Sequence, residues 1–154
     1  MNLTQPRLEV SVATQRLTLW EGFHLVKSWP CSTSKFGLGY TEGSNKTPLG
    51  GFVVKEKHGD NAALGTIFKA RQPVGLWTPD QVTDDDLILS RILWLEGMEK
   101  RNANTFQRYI YIHGTNDERH IGRPASHGCV RLKNRDVVEL YELTPIGTQV
   151  WISE

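Results

Sequence analysis

Apolar and polar residues alternate over 8–12 (Leu-Glu-Val-Ser-Val) and again over 15–20 (Gln-Arg-Leu-Thr-Leu-Trp), the period of a half-buried strand. Ala13-Thr14 between them is short enough for a hairpin. Glu21-Gly22 then turns the chain into a third strand over 24–32, so the opening reads as a β-meander. Residues 34–51 hold five of the 14 glycines with Asn45, Lys46 and Pro48, which is loop chemistry. Strands resume at 52–56 and near 66–70. Segment 86–95 is ambiguous: Asp84, Asp85 and Asp86 would suit a helix N-terminus, and its short apolar run shows no deciding period. Over 108–113, Ile110 and Ile112 face one way while Tyr109, Tyr111 and His113 face the other. The best helix is 135–143, with Asn134 as N-cap and Asp136 in the first turn. A strand over 148–152 closes the chain. Many strands and one good helix predict a mainly β fold, and 154 residues suit a single domain over 1–154.

Charge changes the picture only by exclusion. Eighteen Lys+Arg against 17 Asp+Glu give a net +1, without the basic excess that a nucleic-acid partner calls for. No window approaches the length of apolar chain that spans a membrane. Met1-Asn2-Leu3-Thr4-Gln5-Pro6-Arg7 lacks the basic and apolar regions of a secretory signal. The expected location is therefore cytoplasmic, or periplasmic if a leader has been removed. Two cysteines, Cys31 and Cys129, are too few for a disulfide framework, and Cys31 at a strand end reads as core filler.

The chemistry gathers between Tyr111 and Leu132, where one cysteine, three histidines and three glycines fall within 22 positions. A cysteine that attacks a carbonyl must be deprotonated by a nearby base and needs backbone N–H groups aimed at the developing oxyanion. In Ser126-His127-Gly128-Cys129 the glycine lets substrate approach the backbone, and the amides of 127–129 could form the oxyanion hole. His113, ending a strand before Gly114, is the expected base. No carboxylate is placed to orient it, so the Gly114 carbonyl is the candidate acceptor for its Nδ1 proton. Two other readings stay open: Cys129 as a buried hydrophobe, and a zinc set of His113, His120, His127 and Cys129. The ligand spacing argues against zinc. His120, in the loop between, could touch substrate, whereas His24 and His58 read as surface residues.

Ile112-His113-Gly114, a loop, and Ser126-His127-Gly128-Cys129-Val130-Arg131 resemble the L,D-transpeptidase catalytic domain, or YkuD domain. Lys46-Thr47-Pro48-Leu49-Gly50 and Ser32-Thr33-Ser34 extend the resemblance, with Ser34 in place of the usual glycine, so that it covers roughly 7–152. It implies a YkuD-like β-sandwich-type domain with one or two short helices, and it favours strand over 90–95. It also implies roles: Cys129 as nucleophile, His113 as base, Gly114 as its orienting carbonyl, and His127, Gly128 and the Cys129 amide as the oxyanion hole. Ser126 would brace the loop at the substrate, Arg131 would pair with a substrate carboxylate, and Tyr111 would line the substrate site. No metal or organic cofactor is implied. The implied partners are peptidoglycan stem peptides, with carbapenem-type β-lactams as acylating inhibitors. The implied reaction is attack on the L-centre carbonyl of meso-diaminopimelate with release of D-Ala. The expectation is a cytosolic L,D-carboxypeptidase of murein recycling, with segment 75–107 closing the acceptor side against amines. The alternative is an L,D-transpeptidase that forms 3-3 cross-links or exchanges D-amino acids.

Overall fold

A computed structural model describes residues 5–154, so the first residues of the leader expectation, 1–4, lie outside the described residues. Ten strands follow in order: β1 Pro6–Ser11, β2 Arg16–Glu21, β3 His24–Pro30, β4 Gly50–His58, β5 Thr66–Lys69, β6 Gln72–Leu76, β7 Ile88–Gly97, β8 Tyr111–Gly114, β9 Val130–Leu132 and β10 Gln149–Ser153, with helix α1 Asn134–Leu143 before the last. The alternation seen in the sequence sets the register. Leu8 faces Leu19 and Val10 faces Leu17 across the β1–β2 hairpin, while Leu8 faces Val150 and Val10 faces Ile152 across the parallel β1–β10 pair. Val150 in turn faces Phe52 on β4. These residues are buried in one core, each worth about 1.5–3 kcal/mol relative to exposure.

The hydrogen-bonded path runs β3-β2-β1-β10-β4-β7, and β8 and β9 continue from β7. It returns on itself, because Ser32, just past β3, bridges to Arg131 in β9. Residues from both ends of that path share the core with Val137, Leu140 and Tyr141 of α1. The mainly β expectation holds, and the closed path is what brings the Ser32-Thr33-Ser34 segment against the Cys129 loop.

Four local features have plain causes, the first of them a strand where the resemblance favoured one. β7 is a strand, and Leu89 and Ile92–Leu95 are all buried, so neither face carries a polar period. β6 contains Pro73 and Gly75, which hide an edge strand from a propensity reading. β8 begins only at Tyr111, because Tyr109 sits at φ +58° and breaks the alternation. Lys133, not Asn134, is the N-cap of α1. Asn134 is the first helical residue; its N–H is taken by Glu118 Oε2 at 2.7 Å, and its side chain bonds Ser90 Oγ at 2.7 Å and the Thr115 carbonyl at 2.8 Å. These bonds pin the helix start to β7 and to the turn after β8.

Candidate active site

β8 and β9 run parallel with His113 opposite Arg131. Two residues earlier Cys129 comes opposite Tyr111, whose N–H donates to Sγ at 3.2 Å. Side chains two apart on a strand share a face, so the register, continued one residue before β9, sets Cys129 diagonally across from His113. His113 is 1% exposed and its Nδ1 lies 2.5 Å from the Gly114 carbonyl. A carbonyl only accepts, so Nδ1 carries the hydrogen and Nε2 the lone pair. Gly114 has no room for a side chain: an added Cβ would lie 2.3 Å from Asn134 Oδ1 and 2.6 Å from the Leu89 carbonyl. The orienting bond is thus fixed by α1 and β7 together.

Burial lowers His113, against the charge of Asp86 and the Gly114 bond, which raise it. Burial pushes the half-buried Cys129 thiol up to about 12, despite the Tyr111 N–H and the nearby Arg131 and Arg108. Both groups rest neutral. Among the described residues the thiol is hydrogen-bonded to the Tyr111 N–H and the Tyr109 carbonyl (3.4 Å), not to the imidazole. Apo geometry of this looser kind is common before substrate binds.

The loop before Cys129 is braced from within and without. Ser126, fully buried, donates to the Cys129 carbonyl at 2.6 Å and accepts from the Gly128 N–H at 3.3 Å. Gly128 sits at φ +119°, open to glycine, and its carbonyl accepts from Thr47 Oγ1 at 2.9 Å. Thr47 Oγ1 also accepts the Ser34 N–H at 3.0 Å, while the Thr33 carbonyl accepts the N–H groups of Ala125 and Ser126. The segments around Ser32-Thr33-Ser34 and Thr47 therefore serve one purpose, gripping this loop.

Three expected substrate contacts are corrected by this geometry. Arg131 is 3% exposed and its guanidinium pairs with Asp86 at 2.8 Å and Asp117 at 3.7 Å, so it is spent on the protein's own carboxylates. Ser126 is an internal brace. Tyr111 is buried with Phe68, Ile92 and Trp94, and meets the thiol through its backbone. The Gly128 amide is occupied by Ser126, which leaves the amides of His127 and Cys129 as the remaining candidates for an oxyanion hole. His127 is exposed and bonds Asp86 Oδ2 at 2.9 Å. His120 bonds Asp117 at 2.6 Å, His24 is exposed and His58 pairs with Glu56 at 2.9 Å. Cys31 is fully buried in the core. Among the described residues no group of three or more His, Cys, Asp or Glu is placed to hold a metal ion, and no helix is long and apolar enough to cross a membrane.

Asp86 is the residue that sequence reasoning missed. Burial works to raise its carboxyl, but the charge of Arg131, the bonds from His127 and Arg131, and His113 when it is protonated outweigh it and hold the carboxyl below its ordinary range. Its only sequence signal was the acidic run 84–86, which suits a helix start equally well. A cleft of about 1080 Å³ opens beside it. His127, Arg131 and Asp86 line this cleft, as do Trp77, Pro79 and residues 81–85 from the loop before β7; Cys129 and His113 do not. From segment 75–107, Trp77, Pro79 and residues 81–86 thus wall an open cleft next to the cysteine loop.

A thiol and an oriented imidazole on one sheet face, beside a braced His-Gly turn, can form and resolve a thioester. Those are the parts a cysteine acyl-transfer site calls for, carried here on a sheet whose path closes on itself. The chain belongs to the L,D-transpeptidase catalytic domain (YkuD) family, whose model matches residues 5–152. It is 50% identical to YkuD of Bacillus subtilis, which bears an L,D-transpeptidase name, over 95% of this chain and 65% of that protein. It is similar in fold to the Xylanimonas cellulosilytica L,D-transpeptidase structure (TM-score 0.64, 20% identity, 97% of this chain, 61% of that one). It is also similar to L,D-transpeptidase 3 of Mycobacterium tuberculosis, solved with a faropenem-derived adduct (TM-score 0.60, 17% identity, 97% of this chain, 61% of that one). The chain therefore spans about two thirds of these relatives.

Proposed function

We propose that Cys129 cleaves the meso-diaminopimelate–D-Ala bond of peptidoglycan stem tetrapeptides through a thioester. The observation that carries this reading is the His113–Gly114 bond, which leaves the imidazole lone pair on the ring edge free to take the thiol proton. Sγ bonds to the carbonyl carbon as its proton passes to Nε2; the C–N bond then breaks and that proton leaves on the amine of D-Ala. The amides of His127 and Cys129 would hold the oxyanion. Water resolves the thioester to a tripeptide, and an amine resolves it to an exchanged or cross-linked product.

One feature favours the amine over the expected hydrolysis. The cleft beside His127 is roomy enough for a second peptide, and Asp84, Asp85 and Asp117 share its wall with Lys35, Arg119 and Lys133, a lining that carries both signs of charge, as a zwitterionic acceptor does. Hydrolysis is the fate when that cleft is empty. The partition also bears on location, since recycled tetrapeptide is trimmed in the cytoplasm and wall peptide is joined outside it. A β-lactam would acylate Cys129 as the peptide does, by analogy with the adduct of the M. tuberculosis relative. The test is mass spectrometry on L-Ala-γ-D-Glu-meso-diaminopimelate-D-Ala, with and without a D-amino acid, beside Cys129→Ala. Release of D-Ala by the wild type and not by the variant is expected. Equal release, or none from either, overturns the proposal.

A further inference from the structure

Cys129 packs against an aromatic cluster that does not line the cleft, and a cation lies on it. Trp94 stacks on Phe106 at 3.9 Å and meets Tyr109 and Tyr111 at 5.7 and 5.5 Å. Arg71 lies over Trp94 and Tyr109, 4.8 and 5.5 Å from the ring centroids, with Nη1 3.5 Å from the Tyr111 hydroxyl. Tyr109 and Tyr111 are also the two residues whose backbone groups touch Sγ. The guanidinium is therefore one residue removed from the thiol. Among the described residues none of the ion pairs involves Arg71. Arg131, by contrast, is neutralised twice.

The backbone is arranged against local preference to put Arg71 there. Lys69 pairs with Gln72, so Ala70-Arg71 is a two-residue hairpin turn with φ of +48° and +63°. Turns of this hand strongly prefer Asn-Gly or Asp-Gly, and a long branched-head side chain gains nothing locally there. Tyr109, the partner ring on the facing loop, is also left-handed at φ +58° and is 55% exposed. Two bulky residues in disfavoured backbone meet over one tryptophan beside the nucleophile. Arginine stacked on aromatic faces keeps its fork of N–H donors free at the edge, matched to a carboxylate.

We propose that Arg71 binds the free α-carboxylate of the residue expelled from the substrate, making the site selective for a C-terminal D-amino acid over an internal or amidated one. This rests on the thioester reading of Cys129. A terminal carboxylate sits on the same carbon as the scissile nitrogen and so stays close to the attacked carbonyl, and Arg71 stands on the two tyrosines whose backbone groups hold Sγ. Arg71 does not line the cleft given to the acceptor.

The test measures binding of the tetrapeptide and of its C-terminal carboxamide to Cys129→Ala, with and without Arg71→Ala and Arg71→Lys. A hydrogen-bonded charge pair corresponds to about 10- to 100-fold in affinity. The acid is expected to bind at least 10-fold tighter than the amide, Arg71→Ala to bring the acid to the amide value, and Arg71→Lys to recover part of the gap. Equal weakening of both peptides, or no effect on either, overturns the proposal, as does absence of binding by either. Arg71→Gly serves as a fold control: it should raise Tm by relieving the turn while losing the same discrimination. Loss of D-Ala release by the wild type, with acid-selective binding intact, would overturn the thioester reading and leave the carboxylate site standing.

Discussion

Asp86→Asn keeps the shape of the side chain and removes its charge. Arg131 would lose its 2.8 Å ion pair and keep Asp117 at 3.7 Å, the Ala125 carbonyl at 3.1 Å and His127 Nδ1 at 3.4 Å. Removing one partner of a buried pair costs about 3–5 kcal/mol. The Asp86 side chain is 25% exposed and Asp117 remains, so after that discount about 2–3 kcal/mol is expected. For a chain of this length that is a fall in Tm of roughly 4–12 °C. The sign of the pH effect follows from the same charges. Asp86 raises His113 against burial and Arg131 lowers it, so the variant loses the first and unmasks the second. The acid limb of kcat/KM must then move to lower pH, because the base stays unprotonated further down. Cys129 moves the same way, since Asp86 raises its thiol and Arg131 lowers it. Alkylation by iodoacetamide at mildly alkaline pH should quicken. An acid limb that stays or rises, with Tm within a degree of wild type, would refute the reasoning.

Three further outcomes follow from the geometry. Gly114→Ala drives a Cβ to within 2.6 Å of the Leu89 carbonyl, and overpacking of this kind costs about 1–3 kcal/mol in a denaturant melt, with turnover falling as the His113 orientation is lost. Thr47→Val leaves the Gly128 carbonyl and the Ser34 N–H unpaired in a buried place, each worth about 1–3 kcal/mol; Thr47→Ser should restore most of the lost stability. His113 lies below its ordinary value of 6.5 because it is buried neutral. Its contribution is complete above that pH and is lost as pH falls toward the folded value, so wild type should lose stability more steeply on acidification than His113→Gln.

Cys129, His113 and Gly114 were legible because their chemistry is local: a histidine at a strand end, a carbonyl next to it, a glycine before a thiol. The closing helix and the alternating strands were legible for the same reason. What stayed hidden depends on contacts far apart in the chain. Arg131 read as a substrate-binding cation because nothing near it in sequence neutralises it; Asp86 does so from 45 positions away. Asp86 in turn resembled a helix start because β7, buried on both faces, carries no strand period. Thr47 and Ser34 could be matched to a family pattern, but their shared hold on Gly128 exists only once the sheet path closes through Ser32 and Arg131.

The resting state bears on how such a site avoids reacting at random. With the thiol near 12 and the imidazole held down by burial, the proton has little reason to move before a carbonyl arrives. The thiol meanwhile gives its hydrogen to the Tyr109 carbonyl, which must be released before Nε2 can take it. On the proposed mechanism an acyl donor compensates for that cost, because the oxyanion it generates would be held by the amides of His127 and Cys129. A simple alkylating agent generates none. Reactivity toward β-lactam or peptide relative to iodoacetamide should therefore be far higher than for a thiolate–imidazolium cysteine. Burial contributes most to keeping the thiol protonated until an acyl donor is in place, and Asp86 adds to it while Arg131 works against it.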